Sequence, residues 1–385
     1  MIITISYIEI VFLICEGILK KSDTTFYDYN LLPDHEYTYK VYLAKSESTK
    51  YVSTAITVRT NNYVWQSMEF ENRYSLRLKL YDSYLYVCAG IFGLWRRDIQ
   101  NTGLDWEYMG MADTSMWPYT DRGVQEVLVY SQNPDWILVY FQPIGGDQHA
   151  IFRSLDGGST WSPADSGMDL TYGGYKYPGR LHRFLKYPDR IIGADGGVWY
   201  TFNFGEFWQY DESQFGAGQV YAFERHPINH NTIWLGGEGF AFDPRLGFST
   251  DAGHTWSKID LQKVVPYDNA VYSIAFGLHN PNIVYVGMQG AIIKTTDCGQ
   301  TWISPLVTHP QGWAFRSILA DKRNSAHLWA AAGSDIMETW DNGNTWNTLD
   351  ISIPVNSGII DMTWDDKEEV IYLATVIDGV YSLKP

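Results

Sequence analysis

Four arginines, five acids and a set of aromatic rings are the residues of this chain that could do chemistry. Arg73, Arg122, Arg180 and Arg316 each fall at or near the entry of a strand-like segment. Guanidinium groups that converge would clamp a carboxylate in bidentate fashion; dispersed, they would pair with Asp121 or other acids of the neighbouring loops. Asp121, Asp147, Asp195, Glu238 and Asp268 lie in connecting segments. Glycoside hydrolysis needs two carboxyl groups about 5–10 Å apart, one with a raised pKa, and these five are the candidates for such a pair. The plainer reading is acids that simply face water. Trp117, Tyr119, Tyr172, Tyr175, Tyr177, Phe240, Tyr267 and Trp313 share those segments. Flat exposed rings would bind a sugar or a peptide, or else cover apolar strand ends.

Other chemistry finds little support. His182, His226, His230 and His279 are scattered, with no pair at zinc-ligand spacing. No glycine-rich phosphate loop opens a helix. The expectation is no metal and no cofactor. Cys15, Cys88 and Cys298 are odd in number and far apart, which excludes a disulfide framework.

What must position these residues is a repeat. SLDGGSTW (154–161) returns as STDAGHTW (249–256), TTDCGQTW (295–302) and TWDNGNTW (339–346), with a worn copy, TFNFGEFW, at 201–208. The third positions are Asp156, Asn203, Asp251, Asp297 and Asp341, 44 to 48 residues apart. A constant period of that size means a repeat architecture. Strand-like residues flank each copy, so the motif is a hairpin turn. The Asp or Asn would bond the backbone two residues on. Gly158, Gly205, Gly253, Gly299 and Gly343 would supply a positive φ. Trp161, Trp208, Trp256, Trp302 and Trp346 would start the next strand and pack between units.

These motifs are similar to the Asp-box (BNR) repeats of sialidases, sortilin-type receptors, xyloglucanases and photosystem II assembly factors. The resemblance implies that the box residues are structural and lie away from the functional face. Sialidases carry an Arg-Ile-Pro-type element that RYSLRLKL (73–80) lacks, and they use three arginines to hold a carboxylate. The xyloglucanases of this group carry two propellers. The sortilin-type ring is larger and is backed by a cysteine-rich module. The photosystem factors match in blade number, but their arginine patch is not expected in so acidic a chain.

A second element recurs beside the box, a hairpin with a polar tip: LRLKLYDSYLYVCA (76–89), EVLVYSQNPDWILVYF (126–141), RFLKYPDRIIGA (183–194), YAFERHPINHNTIWLGG (221–237), YSIAFGLHNPNIVYVG (272–287), RSILADKRNSAHLWAA (316–331) and DMTWDDKEEVIYLA (361–374). Seven hairpins, each followed by a third strand, a box and a fourth strand, predict an all-β, seven-bladed β-propeller of four-stranded blades with Asp-box turns. The last unit ends at GVYSLKP without a fourth strand, while VWQSMEF (64–70) has no unit before it. Val64–Met68 is therefore expected to complete the last blade, with Trp65 beside Tyr381, leaving no open edge. The first blade keeps only a degenerate turn, DIQNTGLDW (98–106), with Gly103 and Trp106.

Residues 1–60 read differently. YTYKVYLA and AITVRT alternate as one-sided sandwich strands do. With Tyr27, Leu32 and Pro33 they resemble the second half of a fibronectin type III domain. The expected organisation is a partial β-sandwich over 1–60 and the propeller over 61–385. The apolar N-terminus carries Glu9 and Glu16, and reads as strand rather than as signal peptide or membrane helix.

The net charge of −16 excludes a basic nucleic-acid stripe and disfavours anionic membranes. The leading expectation is a non-catalytic, monomeric binding module, extracellular or at the cell surface, that takes a glycan or a protein on the face shared by the fourth-to-first and second-to-third strand loops. The alternatives are a glycoside hydrolase of exo-sialidase or endo-glucanase type and an intracellular assembly scaffold.

Overall fold

The computed structural model describes the strands within residues 2–59 and residues 64–384 apart from 102, 117–121, 143–148, 169–179, 184–189, 195–197, 212–217, 240–243, 266–269, 279 and 350–356. The chain divides into two compact units, Met1–Val64 and Trp65–Pro385. In the first, Ile2–Thr4 pairs with Thr25–Tyr27, and Glu36–Tyr39 pairs with Ile56–Arg59. A four-stranded antiparallel sheet runs Ile18–Leu19, Val11–Leu13, Val41–Ser46, Thr49–Val52.

The second unit is built from seven four-stranded antiparallel sheets. We label their strands a to d from the axis outward. Blade 1 is Arg77–Tyr81, Tyr84–Cys88, Leu94–Asp98 and Glu107–Tyr108. The a strands of blades 2 to 7 are Gly123–Val129, Arg180–Arg183, Gly218–Arg225, Val271–Phe276, Phe315–Ala320 and Ile359–Asp365. Successive a strands touch, and Arg77–Tyr81 meets Ile359–Asp365, so the ring is closed. The d strand of blade 7 is Gln66–Ser67, paired with Val380–Leu383. The propeller therefore closes on its own N-terminal strand, as expected. The register puts Ser67, rather than Trp65, across from Tyr381.

Side-chain chemistry fixes the hairpin tips. Asn133, Asn229, Asn280 and Asn324 each accept the backbone N–H two residues on, at 3.0–3.2 Å. An Asx turn of this kind reverses the chain without a second backbone partner. The tips of blades 2, 4, 5 and 6 close with one pattern: the N–H of Tyr130, His226, Gly277 or Asp321 donates to the carbonyl six residues on.

The boxes differ from the expectation in the span of their backbone bond. The carboxylate of Asp156, Asp251, Asp297 or Asp341 accepts the N–H of the Thr four residues on, not two, at 2.8–2.9 Å. Its second oxygen takes that Thr hydroxyl at 2.6–2.7 Å. The Ser or Thr that opens the box donates to the carboxylate and accepts the glycine N–H. The longer loop needs two successive left-handed residues, such as Asn342 (φ 60°) and Gly343 (φ 87°). The Trp rings then tie neighbouring blades: Trp161 Nε1 donates to the Met109 carbonyl at 2.8 Å and Trp208 Nε1 to that of Ala164 at 2.7 Å.

The core lies between blades. Tyr86, Cys88 and Leu94 of blade 1 pack on Val127, Ile137 and Val139 of blade 2, and similar clusters follow around the ring.

Candidate functional site

Seven a strands enter the ring from one face, and in five of them the pairing slips near the start. The register with strand b skips Gln125, Tyr221, Tyr272, Arg316 and Ile360. A bulged residue has no cross-strand partner and its side chain is re-aimed. All five line one cavity of about 500 Å³ at the mouth of the central channel. The bulges thus set a ring of side chains around the channel mouth.

Arginines supply the charge. Arg77, Arg122, Arg180 and Arg316 line this mouth. Arg180 Nε donates to the Tyr221 carbonyl at 2.8 Å, and its Nη1 lies 3.7 Å from Glu126. Arg77 Nη1 lies 3.6 Å from Asp361, and its Nε is buried without a hydrogen-bond partner. Among the described residues Arg122 and Arg316 form no ion pair. Arg316 instead carries its guanidinium 5.4 Å above the Tyr272 ring, and Tyr272 stacks on Tyr221 at 5.3 Å and 11°.

Beneath the mouth the channel holds a polar layer that includes Lys79, Glu126, Glu224 and Asp361. Asp361 accepts the N–H of Leu78 at 3.0 Å and so joins blade 7 to blade 1. Glu126 is buried and lies 3.4 Å from Lys79. Burial raises its carboxyl, while Lys79 and Arg77 pull it back. Glu224 faces the lumen, where water reaches it although protein encloses it. That enclosure raises its carboxyl to about 7.

A second cavity of about 590 Å³ opens from the mouth across blades 6 and 7, sharing Leu76, Arg316 and Ile360 with it. Trp313 forms one wall. Its ring stacks on His309 at 5.1 Å and 18°. It also lies against Gly333, where an added Cβ would overlap the indole.

The expected residues divide accordingly. Arg122, Arg180 and Arg316 come together at the mouth, and Trp313 borders it. Arg73 is a correction: it packs over Trp95 at 4.7 Å and Phe70 at 5.2 Å and lines neither cavity. Arg77, four residues on, takes the position expected of it. The expected lack of an arginine patch is likewise corrected, because a chain of net charge −16 gathers four arginines here. Of the candidate acids, Glu238 accepts the Tyr221 hydroxyl at 2.6 Å. Asp121, Asp147, Asp195, Asp268, Trp117, Tyr119, Tyr172, Tyr175, Tyr177, Phe240 and Tyr267 lie outside the described residues. Sequence reasoning missed Gln125, Tyr221 and Tyr272 because it searched loops. The signal was present in the strand openings GVQEV, QVYAF, AVYSI, AFRSI and GIIDM, whose third residues are the five bulged ones.

Among the described residues no group of three or more His, Cys, Asp or Glu side chains could hold a metal ion. Cys88 and Cys298 are free thiols. No helix among the described residues is long and apolar enough to cross a membrane.

Comparison with known proteins places the architecture. The family model for photosynthesis system II assembly factor YCF48 matches residues 188–320. The fold also resembles a GH74 xyloglucanase from Xanthomonas campestris, with a TM-score of 0.61 and 17% identity. That match covers 83% of this chain and 53% of the enzyme, so the chain spans about half the enzyme's length. A structure of YCF48 bound to D1 peptide superposes with a TM-score of 0.58 at 15% identity, covering 84% of this chain and 94% of that one. YCF48 from Cyanidioschyzon merolae gives 0.58 at 12% identity, over 83% and 99% of the two chains. The chain is a seven-bladed β-propeller that carries BNR-type repeats. No curated protein matches it in sequence. At these identities the structural likeness fixes the fold alone.

Proposed function

We propose that this propeller is a non-catalytic module that binds a carboxylate-bearing peptide segment of a protein partner at the channel mouth. The observation that carries the reading is the convergence of Arg77, Arg122, Arg180 and Arg316 on one cavity, two of them without an ion-pair partner among the described residues. A hydrogen bond to a charged group contributes about 1.5–3 kcal/mol, and a guanidinium fork matches a carboxylate in geometry. A neutral glycan would leave both free guanidinium groups unused. A similar fold has been seen with a peptide, in YCF48 bound to D1 peptide. Of the acids described near the mouth, Asp361 accepts the Leu78 N–H and Glu238 accepts the Tyr221 hydroxyl.

The test is fluorescence anisotropy with labelled acidic peptides of about ten residues. The reading predicts binding that weakens as salt rises and that the double variant Arg122→Gln/Arg316→Gln loses. Peptide binding indifferent to that double variant, or binding of neutral oligosaccharides in place of peptides, would overturn it.

A further inference from the structure

The mouth and the cavity beside it differ in chemistry. The mouth is ringed by guanidinium groups and amides, whereas the side cavity is walled by Tyr74, Trp313, Ile359 and Val376 over a floor that includes Gly333 and Gly358. The small residues are required there. A Cβ on Gly333 would sit inside the Trp313 ring, and Gly333 and Gly358 both have positive φ, at 59° and 93°. They keep the groove open while the indole stands as its wall, propped by His309, whose own ring is buried and held 3.1 Å from Asp335. Trp313 stays exposed, at 39%. An aromatic wall held in place on one side and bare on the other is prepared for an apolar side chain.

Resting on the reading above, we propose that the site recognises the C-terminal end of a polypeptide. The terminal carboxylate sits among the arginines, and an apolar side chain one to three residues before it lies in the groove beside Trp313. Charge complementarity selects a carboxylate, which a chain end carries whatever its sequence, and Arg316 belongs to both cavities, so the groove begins where the arginine cluster ends. An extended chain advances about 3.3–3.6 Å per residue. The side chain that reaches the groove must therefore come within a few residues of the carboxylate. The preferred partner ends in a short apolar stretch with a free carboxyl group.

The experiment uses the full chain and labelled octapeptides in a two-by-two set: a C-terminal acid or amide, with Leu or Gly at the three positions before the end. Burying one apolar side chain strengthens binding by about tenfold or more. The Leu acid is expected to bind about tenfold or more tighter than the Gly acid, and both acids tighter than their amides. Trp313→Ala, and separately Ser334→Trp, which fills the groove, should bring the Leu acid down to the Gly acid. Equal affinity for the two acids in the unaltered protein, with acids still preferred over amides, would overturn the groove assignment alone. Equal affinity for acid and amide would remove the terminal carboxylate itself. A Leu preference that survives both variants would place the apolar contact elsewhere and overturn the inference.

Discussion

Arg316 and Tyr272 occupy the same bulged position in neighbouring blades, and the guanidinium of one rests 5.4 Å above the ring of the other. This pair shows how bulged strand residues come to line the channel mouth. The side chain that the register skips is re-aimed, and the preceding blade supplies the ring it leans on.

Removing the unpaired charges should weaken ligand binding without weakening the fold. Neither Arg122 nor Arg316 forms an ion pair among the described residues. Arg122→Gln and Arg316→Gln should each lower affinity for an acidic peptide by about tenfold or more, the loss of one charged hydrogen bond. Urea midpoints should stay near that of the unaltered protein. Arg180→Gln is the contrast: it also strips Glu126 and the Tyr221 carbonyl of a partner and should lower the midpoint.

Binding should respond to pH through Glu224. The protein that encloses it raises its carboxyl to about 7, so the lumen below the arginines gains a negative charge as pH rises through neutrality. Lys79 and Arg225 oppose that shift and Asp361 adds to it. Anion affinity should therefore be higher at pH 6 than at pH 8, measured at fixed ionic strength. Glu224→Gln should flatten the profile. The linkage to stability has the same sign. The folded state holds this proton above the ordinary range of a glutamate, so its contribution is present at low pH and is lost as pH rises through about 7.

The Asp boxes titrate the other way. Thr hydroxyl and backbone N–H bonds hold Asp156 and Asp297 down to about 2. In Asp251 burial works against the same bonds, and its carboxyl still falls to about 2. Their contribution to stability is present above the usual aspartate range and is lost as pH falls from about 4 through about 2. Acid denaturation followed by tryptophan fluorescence should show it in that window. Asp341→Ala, which removes the carboxylate that Thr339 and Thr345 share, should lower the melting temperature by about a few degrees. Asp341→Asn should cost less, because Asn203 already holds Thr201 and the Phe207 N–H in the worn box.

Ring closure should be sensitive at Phe70. This side chain is buried where blades 1 and 7 meet, 4.9 Å from Trp106 and 5.7 Å from Trp95. Phe70→Ala should cost about 3–5 kcal/mol in urea denaturation. The loss should exceed that of Phe202→Ala, whose ring is exposed.

Much of this was legible in the chain. The boxes announce themselves because one turn geometry demands the same Ser/Thr, Asp, Gly and Thr at fixed spacing, and the blade count follows from the seven recurring hairpins. The closure was legible as a strand lacking at one end and spare at the other. Its register was not, since Gln66 and Ser67 are exposed and nothing in their pattern distinguishes one alignment from another. The site was half legible. Arg122, Arg180 and Arg316 stand at strand entries that the repeat locates, but in blade 1 the arginine chosen from the sequence is Arg73, just ahead of the hairpin 76–89, rather than Arg77 within it. Four residues decide whether a side chain faces the channel or packs on Trp95. The bulges carry no mark within a single strand. They emerge only when the strand openings are aligned: in four of the five a polar or aromatic residue recurs between two buried ones, and in blade 7 Ile360 takes that place.

The most direct measurement is a crystal structure of the protein with a short acidic peptide bound. The account predicts a peptide carboxylate within hydrogen-bonding distance of at least two of Arg77, Arg122, Arg180 and Arg316. A peptide found along the outer strands of the blades or at the Asp-box turns, with the channel mouth left to solvent, would contradict it.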